Sequence, residues 1–91
     1  MKVVFAYDIS DDKRRNKIHK VLKNYGNWMQ YSVFECELKE KDYLKLKNKL
    51  KGLIKEGKED KIISYFLCSS CEKRTKKIGD YKNLEEDGVI L

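Results

Sequence analysis

Lys2-Val3-Val4-Phe5-Ala6-Tyr7-Asp8 is the stretch that decides the fold. It is a nearly continuous apolar run with β-branched and aromatic members, closed by one carboxylate. Such a run is a central strand, because a half-exposed strand would alternate polar residues with apolar ones. The next residues turn the chain into a helix. Ser10-Asp11-Asp12 supplies a capping oxygen and two carboxylates where the helix dipole favours negative charge. Ile18, Val21, Leu22 and Tyr25 then form one apolar helical stripe. Gly26-Asn27 reads as the C-cap pair that ends it.

Further along, residues 28–38 are strand-like, as one long bent strand or two. Glu35 and Glu37 alternate there with Phe34, Cys36 and Leu38, which predicts a wet face and a dry one. A second helix is expected over about 40–56, with Tyr43, Leu46, Leu50, Leu53 and Ile54 as its stripe and Gly57 as its stop. Residues 61–68 make another strand. A basic segment around 74–78 and Val89-Ile90-Leu91 are weaker strand candidates. The order is β-α-β-β-α-β. It predicts an α+β, ferredoxin-like sandwich in which an antiparallel sheet carries both helices on one face, with an extra C-terminal edge strand. Residues 3–7 and 62–67 are apolar on both alternating sets, so the second face is expected to be covered as well. A second copy of the chain, in an isologous two-fold dimer, would cover it.

The whole chain is 91 residues long, which predicts a single domain over 1–91. No apolar run approaches the roughly 20 residues of a spanning helix. Asp8 interrupts the first strand before a signal-peptide core can form, so a cytoplasmic location without membrane contact is expected. The net charge of +6 points to a polyanion partner. It is unevenly placed. Lys13, Arg14, Arg15, Lys17, Lys20 and Lys23 have no acid between Asp12 and Glu35, and Lys73, Arg74, Lys76 and Lys77 form a second cluster. The lysines of 39–61 are interleaved with acids and read as a solvated helix surface. The sign reverses at Glu85-Glu86-Asp87.

Asp8 is the first candidate for chemistry. On a two-fold dimer, two copies of one strand-end carboxylate approach, and close like charges must share a proton or bind a cation. Two carboxylates with water and phosphate oxygens suit Mg²⁺ or Mn²⁺. Such an ion activates water and neutralises charge on a scissile phosphodiester. Asp11 and Asp12 are explained by the helix start. Arg14, Arg15 and Lys17 sit in the first helical turns, either as phosphate contacts or as a solvated face. Cys68-Ser69-Ser70-Cys71 is a CxxC lacking the partners of a complete zinc site. A redox role would need it to follow a strand and open a helix. The basic segment after it argues instead for structural or incidental cysteines. His19 is expected at the surface, without a catalytic partner. Trp28, Tyr31 and Phe34 are base-stacking candidates that core packing explains more cheaply, Phe34 above all.

Two blocks together resemble a known family. They are Tyr7-Asp8-Ile9-Ser10-Asp11-Asp12-Lys13-Arg14-Arg15-Asn16-Lys17 and Gln30-Tyr31-Ser32-Val33-Phe34-Glu35-Cys36. In this order and separation they are similar to the CRISPR-associated protein 2 family, the small partner of the CRISPR integrase (CRISPR-associated protein 1) in spacer acquisition. The resemblance covers nearly the whole chain and includes Leu67-Cys68-x-x-Cys71. It implies a homodimer with facing sheets, in which the C-terminal strand, at 75–78 or 89–91, adds to the partner's sheet. It also implies that Asp8 of each protomer binds Mg²⁺ and is the catalytic residue of an endonuclease acting on single-stranded RNA or duplex DNA. Arg15 and Phe34 match positions tied to nucleic-acid handling or site structure. Tyr7, Ser32 and Phe34 then support the site, and Arg14, Arg15, Lys17, Lys73, Arg74, Lys76 and Lys77 contact nucleic acid. A catalytically inactive DNA scaffold and a related toxin-type ribonuclease are the alternatives. One departure stands out: many members carry Gly-x-Arg-x-Gln where this chain has Gly26-Asn27-Trp28-Met29-Gln30. Trp28 cannot make an arginine's phosphate contacts.

Overall fold

The structure is a computed structural model that describes residues 1–81 and the backbone of residues 89–90. The acidic triplet at 85–87 and Leu91 lie outside the described residues. The apolar run becomes β1 (Lys2–Asp8), paired with β3 (Val33–Glu37) on one side and β4 (Lys61–Leu67) on the other, both antiparallel. β2 (Asn27–Gln30) pairs outside β3, giving the order β2-β3-β1-β4. The middle region is thus two strands. They turn at Tyr31, whose φ of 37° lies in the left-handed region.

Helix α1 (Asp12–Lys23) starts where the sequence places it. Asp11 is the N-cap, and its carboxylate accepts the Arg14 backbone N–H at 2.9 Å. Helix α2 (Glu40–Leu53) stops short of the expected residue 56, with Ile54 as its C-cap. Gly57, in the loop beyond, adopts φ +80°, which favours glycine. Val3, Phe5 and Tyr7 of β1 pack with Ile18 and Leu22 of α1, Leu46 and Leu50 of α2, and Phe34 and Cys36 of β3 in one core. Alternation along β1 places Lys2, Val4, Ala6 and Asp8 on the opposite, helix-free face. Across from them stand Ile63 and Tyr65, 49% and 54% exposed.

Further expectations change. Gly26 does not cap α1; the cap is Asn24. Gly26 instead lies against β3, where a Cβ would overlap Cys36 Sγ and the Glu35 carbonyl oxygen. His19 is not a surface residue. It is half-buried, with its ring edge-on to Phe34 at 5.0 Å and to Trp28 at 5.7 Å. The CxxC does follow a strand and open a helix, α3 (Ser69–Arg74), with Cys68 at the N-cap. Of the basic residues that argued against this arrangement, Lys73 and Arg74 lie in the helix's last turn, where its dipole favours them, and Lys76 and Lys77 lie beyond it.

The extra C-terminal strand is β5 (Lys77–Ile78). It forms a separate two-stranded parallel ribbon with β6 (Val89–Ile90). Lys77 Nζ reaches Glu35 at 3.0 Å and Tyr81 donates to Gln30 at 2.8 Å, so this segment lies against the helix-free side of β2 and β3. Glu35 is accordingly not the wet residue that alternation predicts. Lys2 and Lys77 flank it. Among the described residues, no helix is long and apolar enough to cross a membrane.

Candidate nucleic-acid and metal site

Asp8 closes β1 as an exposed residue, with Lys61 of β4 as its neighbour across the strands. It shares the helix-free face with Ala6 and Val4, so it stands where that apolar face ends and the chain leaves the sheet. The side chains around it hold the strand end. Buried Tyr7 donates its N–H to the Ser32 carbonyl at 3.1 Å, which ties β1 to the β2–β3 turn. The Tyr7 hydroxyl is hydrogen-bonded to His19 Nδ1 at 3.1 Å, and its ring stacks on Phe34 with centroids 6.5 Å apart. Burial pushes the Tyr7 hydroxyl above its ordinary pKa, against the opposing effects of a Ser32 hydrogen bond and the Arg15 charge. Burial, with Lys23 adding to it, holds His19 below its ordinary value. Neutral His19 therefore meets a protonated Tyr7, and each satisfies the other.

Of the site residues named from sequence, Tyr7, Ser32 and Phe34 come together directly beneath the Asp8 end of β1. The first-helix cations do not act alike. Arg15 donates to the carbonyl oxygens of Ile9 at 3.3 Å and Ser10 at 3.5 Å, and pairs with Asp12. It thereby fixes the loop that follows Asp8. Arg14 is drawn into the fold: Nε and Nη2 bind the Asp60 carboxylate at 2.8 and 3.2 Å. The Asp60 side chain is fully covered and also accepts the Lys55 backbone N–H at 2.9 Å. The Arg14 hydrogen bond holds the Asp60 carboxyl below the usual carboxylate range. This bidentate clamp joins α1 to the α2–β4 loop, and sequence reading missed it. Lys17, Lys73, Arg74 and Lys76 are exposed and remain available to phosphates, whereas Lys77 is held by Glu35.

Asp11 and Asp12 are engaged in the helix start, Asp11 with Arg14 and Asp12 with Arg15. Hydrogen bonding from the Arg14 backbone N–H keeps the Asp11 carboxyl below its ordinary value. Trp28 donates its indole N–H to the Tyr31 carbonyl at 2.9 Å and packs on His19, so it braces the β2–β3 turn. Among the described residues, no group of three or more His, Cys, Asp or Glu side chains converges on one point. A hard cation that keeps several waters, as Mg²⁺ does, accepts one carboxylate from each of two chains. Asp8, exposed and an oxygen donor, fits that requirement.

Comparison with known proteins bears on the family and the fold. Residues 1–75 match the family model for CRISPR-associated protein Cas2. The chain is 46% identical over 77 residues to a CRISPR-associated endoribonuclease Cas2 of Chloroflexus aurantiacus, covering 85% of this chain and 83% of that one. It is 42% identical over 90 residues to a CRISPR-associated endoribonuclease Cas2 of Thermus thermophilus, covering 97% and 95%. The crystal structure of Streptococcus pyogenes Cas2 superposes with a TM-score of 0.75 at 30% identity, over 87% of this chain and all of that one. A match of this length to the family model, relatives this similar across most of both chains, and a shared fold leave one conclusion: this chain belongs to the Cas2 family of CRISPR-associated proteins.

Proposed function

We propose that the chain folds as one domain and works as a homodimer, sheet face to sheet face, that binds nucleic acid and hydrolyses a phosphodiester bond with Mg²⁺ held between its two Asp8 carboxylates. One observation carries this reading: the exposed Asp8 carboxylate stands at the end of the β1–β4 part of the helix-free face, where Ile63 and Tyr65 are about half exposed. Covering that face with a second copy buries Ile63 and Tyr65 and sets the two Asp8 positions opposite each other across the two-fold axis. The endoribonuclease names of the relatives support the activity.

Each group has a defined task in this scheme. The metal, when bound, lowers the pKa of a water and neutralises charge on the phosphate. Asp8 holds the metal, and Arg15 fixes the loop behind it through the Ile9 and Ser10 carbonyls. Tyr7, His19 and Phe34 pin the strand end from the core side. Lys17, Lys73, Arg74 and Lys76 bind backbone phosphates without reading sequence. Arg14 and Lys77 serve the fold, because their charges already face Asp60 and Glu35. The family membership brings the CRISPR integrase into the proposal as partner, with the dimer bridging it to DNA during spacer acquisition.

The test is cleavage of single-stranded RNA and of duplex DNA with Mg²⁺ by the wild type and by Asp8→Ala, alongside light scattering for oligomeric state. The expected outcome is a dimer in both proteins, with cleavage lost by at least about a hundredfold in the variant, on the order of a removed charge-stabilising group. Cleavage that survives the substitution removes Asp8 from the mechanism. A monomeric wild type removes the shared metal site.

A further inference from the structure

The chemistry of Asp8 leaves Cys68-Ser69-Ser70-Cys71 unused. This segment leaves the sheet directly after Leu67, whose strand partner is Lys2, and forms the first turn of α3. Both thiols are free and exposed. Cys68 Sγ lies 3.3 Å from Ser70 Oγ, and Cys71 follows three residues on in the same turn. Positions three apart on a helical turn bring their Cβ atoms to about 5–6 Å, close to the spacing that a disulfide spans after a small rotation.

The two sulfurs are not equivalent. Hydrogen bonding from Ser70, then from the Cys71 backbone and thiol, pulls the Cys68 thiol down to about 7. The same Cys68–Cys71 hydrogen bond, with Cys68's charge, pushes Cys71 up. Among the described residues, Glu72 and Lys73 follow the pair on α3, and Lys2 Nζ of β1 is 3.9 Å from Glu72. Cys36 provides an internal contrast. It is buried in the core, and burial pushes its thiol up to about 11. One exposed thiolate with a protonated neighbour one turn away is the pairing that thiol oxidation chemistry uses.

We propose that Cys68 and Cys71 form a reversible dithiol–disulfide site, with Cys68 as the attacking nucleophile and Cys71 as the resolving thiol. With hydrogen peroxide as oxidant, Cys68 thiolate attacks one peroxide oxygen and the O–O bond breaks. The departing hydroxide takes a proton to become water, and Cys68 is left as a sulfenic acid. Cys71 sulfur then attacks Cys68 sulfur. The S–O bond breaks, and the second water leaves with the Cys71 proton. Two thiols and one peroxide thus become one disulfide and two waters. A reducing dithiol reverses the change by exchange. The site lies on the connection between the sheet and the C-terminal ribbon and is independent of Asp8.

The experiment treats the full-length, reduced, EDTA-washed protein with stoichiometric hydrogen peroxide at neutral pH, followed by intact mass and peptide mapping. The wild type should lose two hydrogens, gain an intramolecular Cys68–Cys71 bond and recover with dithiothreitol. Cys71→Ser should accumulate a sulfenic acid at Cys68 that dimedone traps. Cys68→Ser should react about tenfold more slowly, in line with its lost thiolate fraction. Cys36→Ser, scored for folding by circular dichroism, should behave as wild type. Equal reaction rates at all three cysteines, a dimedone adduct at Cys71, or bonds only between chains would overturn the proposal. Zinc retained on both thiols after chelation would overturn it too, because coordinated thiolates do not resolve a sulfenic acid.

Discussion

The two faces of β1 come from alternate residues of one strand, yet they end in different environments. Val3, Phe5 and Tyr7 are buried against α1 and α2. Val4 and Ala6, one residue away, look out over Ile63 and Tyr65, which remain about half exposed. Two helices cover one face of the four-stranded sheet, and the segment of Lys77 and Tyr81 lies over only the β2–β3 part of the other. Among the described residues, a single chain thus completes one core and keeps apolar side chains exposed on the β1–β4 part of the other face. The same contrast explains why the candidate chemistry stands where it does. Asp8 belongs by alternation to the unfinished face, while the groups that brace its strand end, Tyr7 and Phe34, belong to the finished one.

That contrast is open to direct challenge. Phe34→Ala should show the largest effect, about 3–5 kcal/mol lost in denaturant unfolding, because a fully buried ring is removed from a packed core. Tyr65→Lys, unfolded at concentrations too dilute for association, should lie within about 0.5 kcal/mol of wild type. At higher concentration it should run as a monomer in light scattering. If the two substitutions cost a dilute chain the same, the outer face would be part of a single-chain core and the comparison would fail.

A smaller effect probes how closely the finished side is packed. Gly26→Ala should cost about 1–3 kcal/mol, as overpacking does, because its Cβ meets Cys36 Sγ and the Glu35 carbonyl. Adding Cys36→Ala should recover only part of that loss, since the backbone oxygen remains in the way.

The smallest effect concerns pH. His19 has a lower pKa in the folded chain than the ordinary 6.5. The unfolded chain therefore binds more protons in the window below about 6.5, so the stabilisation is complete above that pH and fades as pH falls. Thermal melts at about pH 7.5 and about pH 5.5 should show a lower Tm at the acid end, and His19→Gln should flatten the difference. Asp11, Glu37 and Asp60 are all held below the usual carboxylate range and so titrate outside this window.

Much of this was legible in the residues. The start of α1 is written in Asp11 and Asp12, because a cap acts within one turn. The core stripes of both helices and the place of Asp8 at a strand end follow from periodicity. Two features failed to read for different reasons. Gly26 carries the composition of a C-cap, but its small size serves a contact with β3, ten residues on. The basic residues after the CxxC hid a helix of six residues, too short for an apolar stripe to announce it. The sorting of the first-helix cations was out of reach altogether. Arg14 and Lys17 look alike in sequence, and only one of them meets a carboxylate 46 positions away.

Element order, the capped start of α1, the family and the identity of the strand-end carboxylate were all set by the linear order of residues. They depend on positions within a turn or a strand of one another, where spacing translates directly into which side chains share a face. Packing alone settled that Arg14 is clamped by Asp60, that Lys77 is held by Glu35, that His19 closes on Tyr7 and that Ile63 and Tyr65 stay about half exposed. Each of these depends on which distant segments the fold brings together, and linear spacing carries no information about a distance that the fold creates.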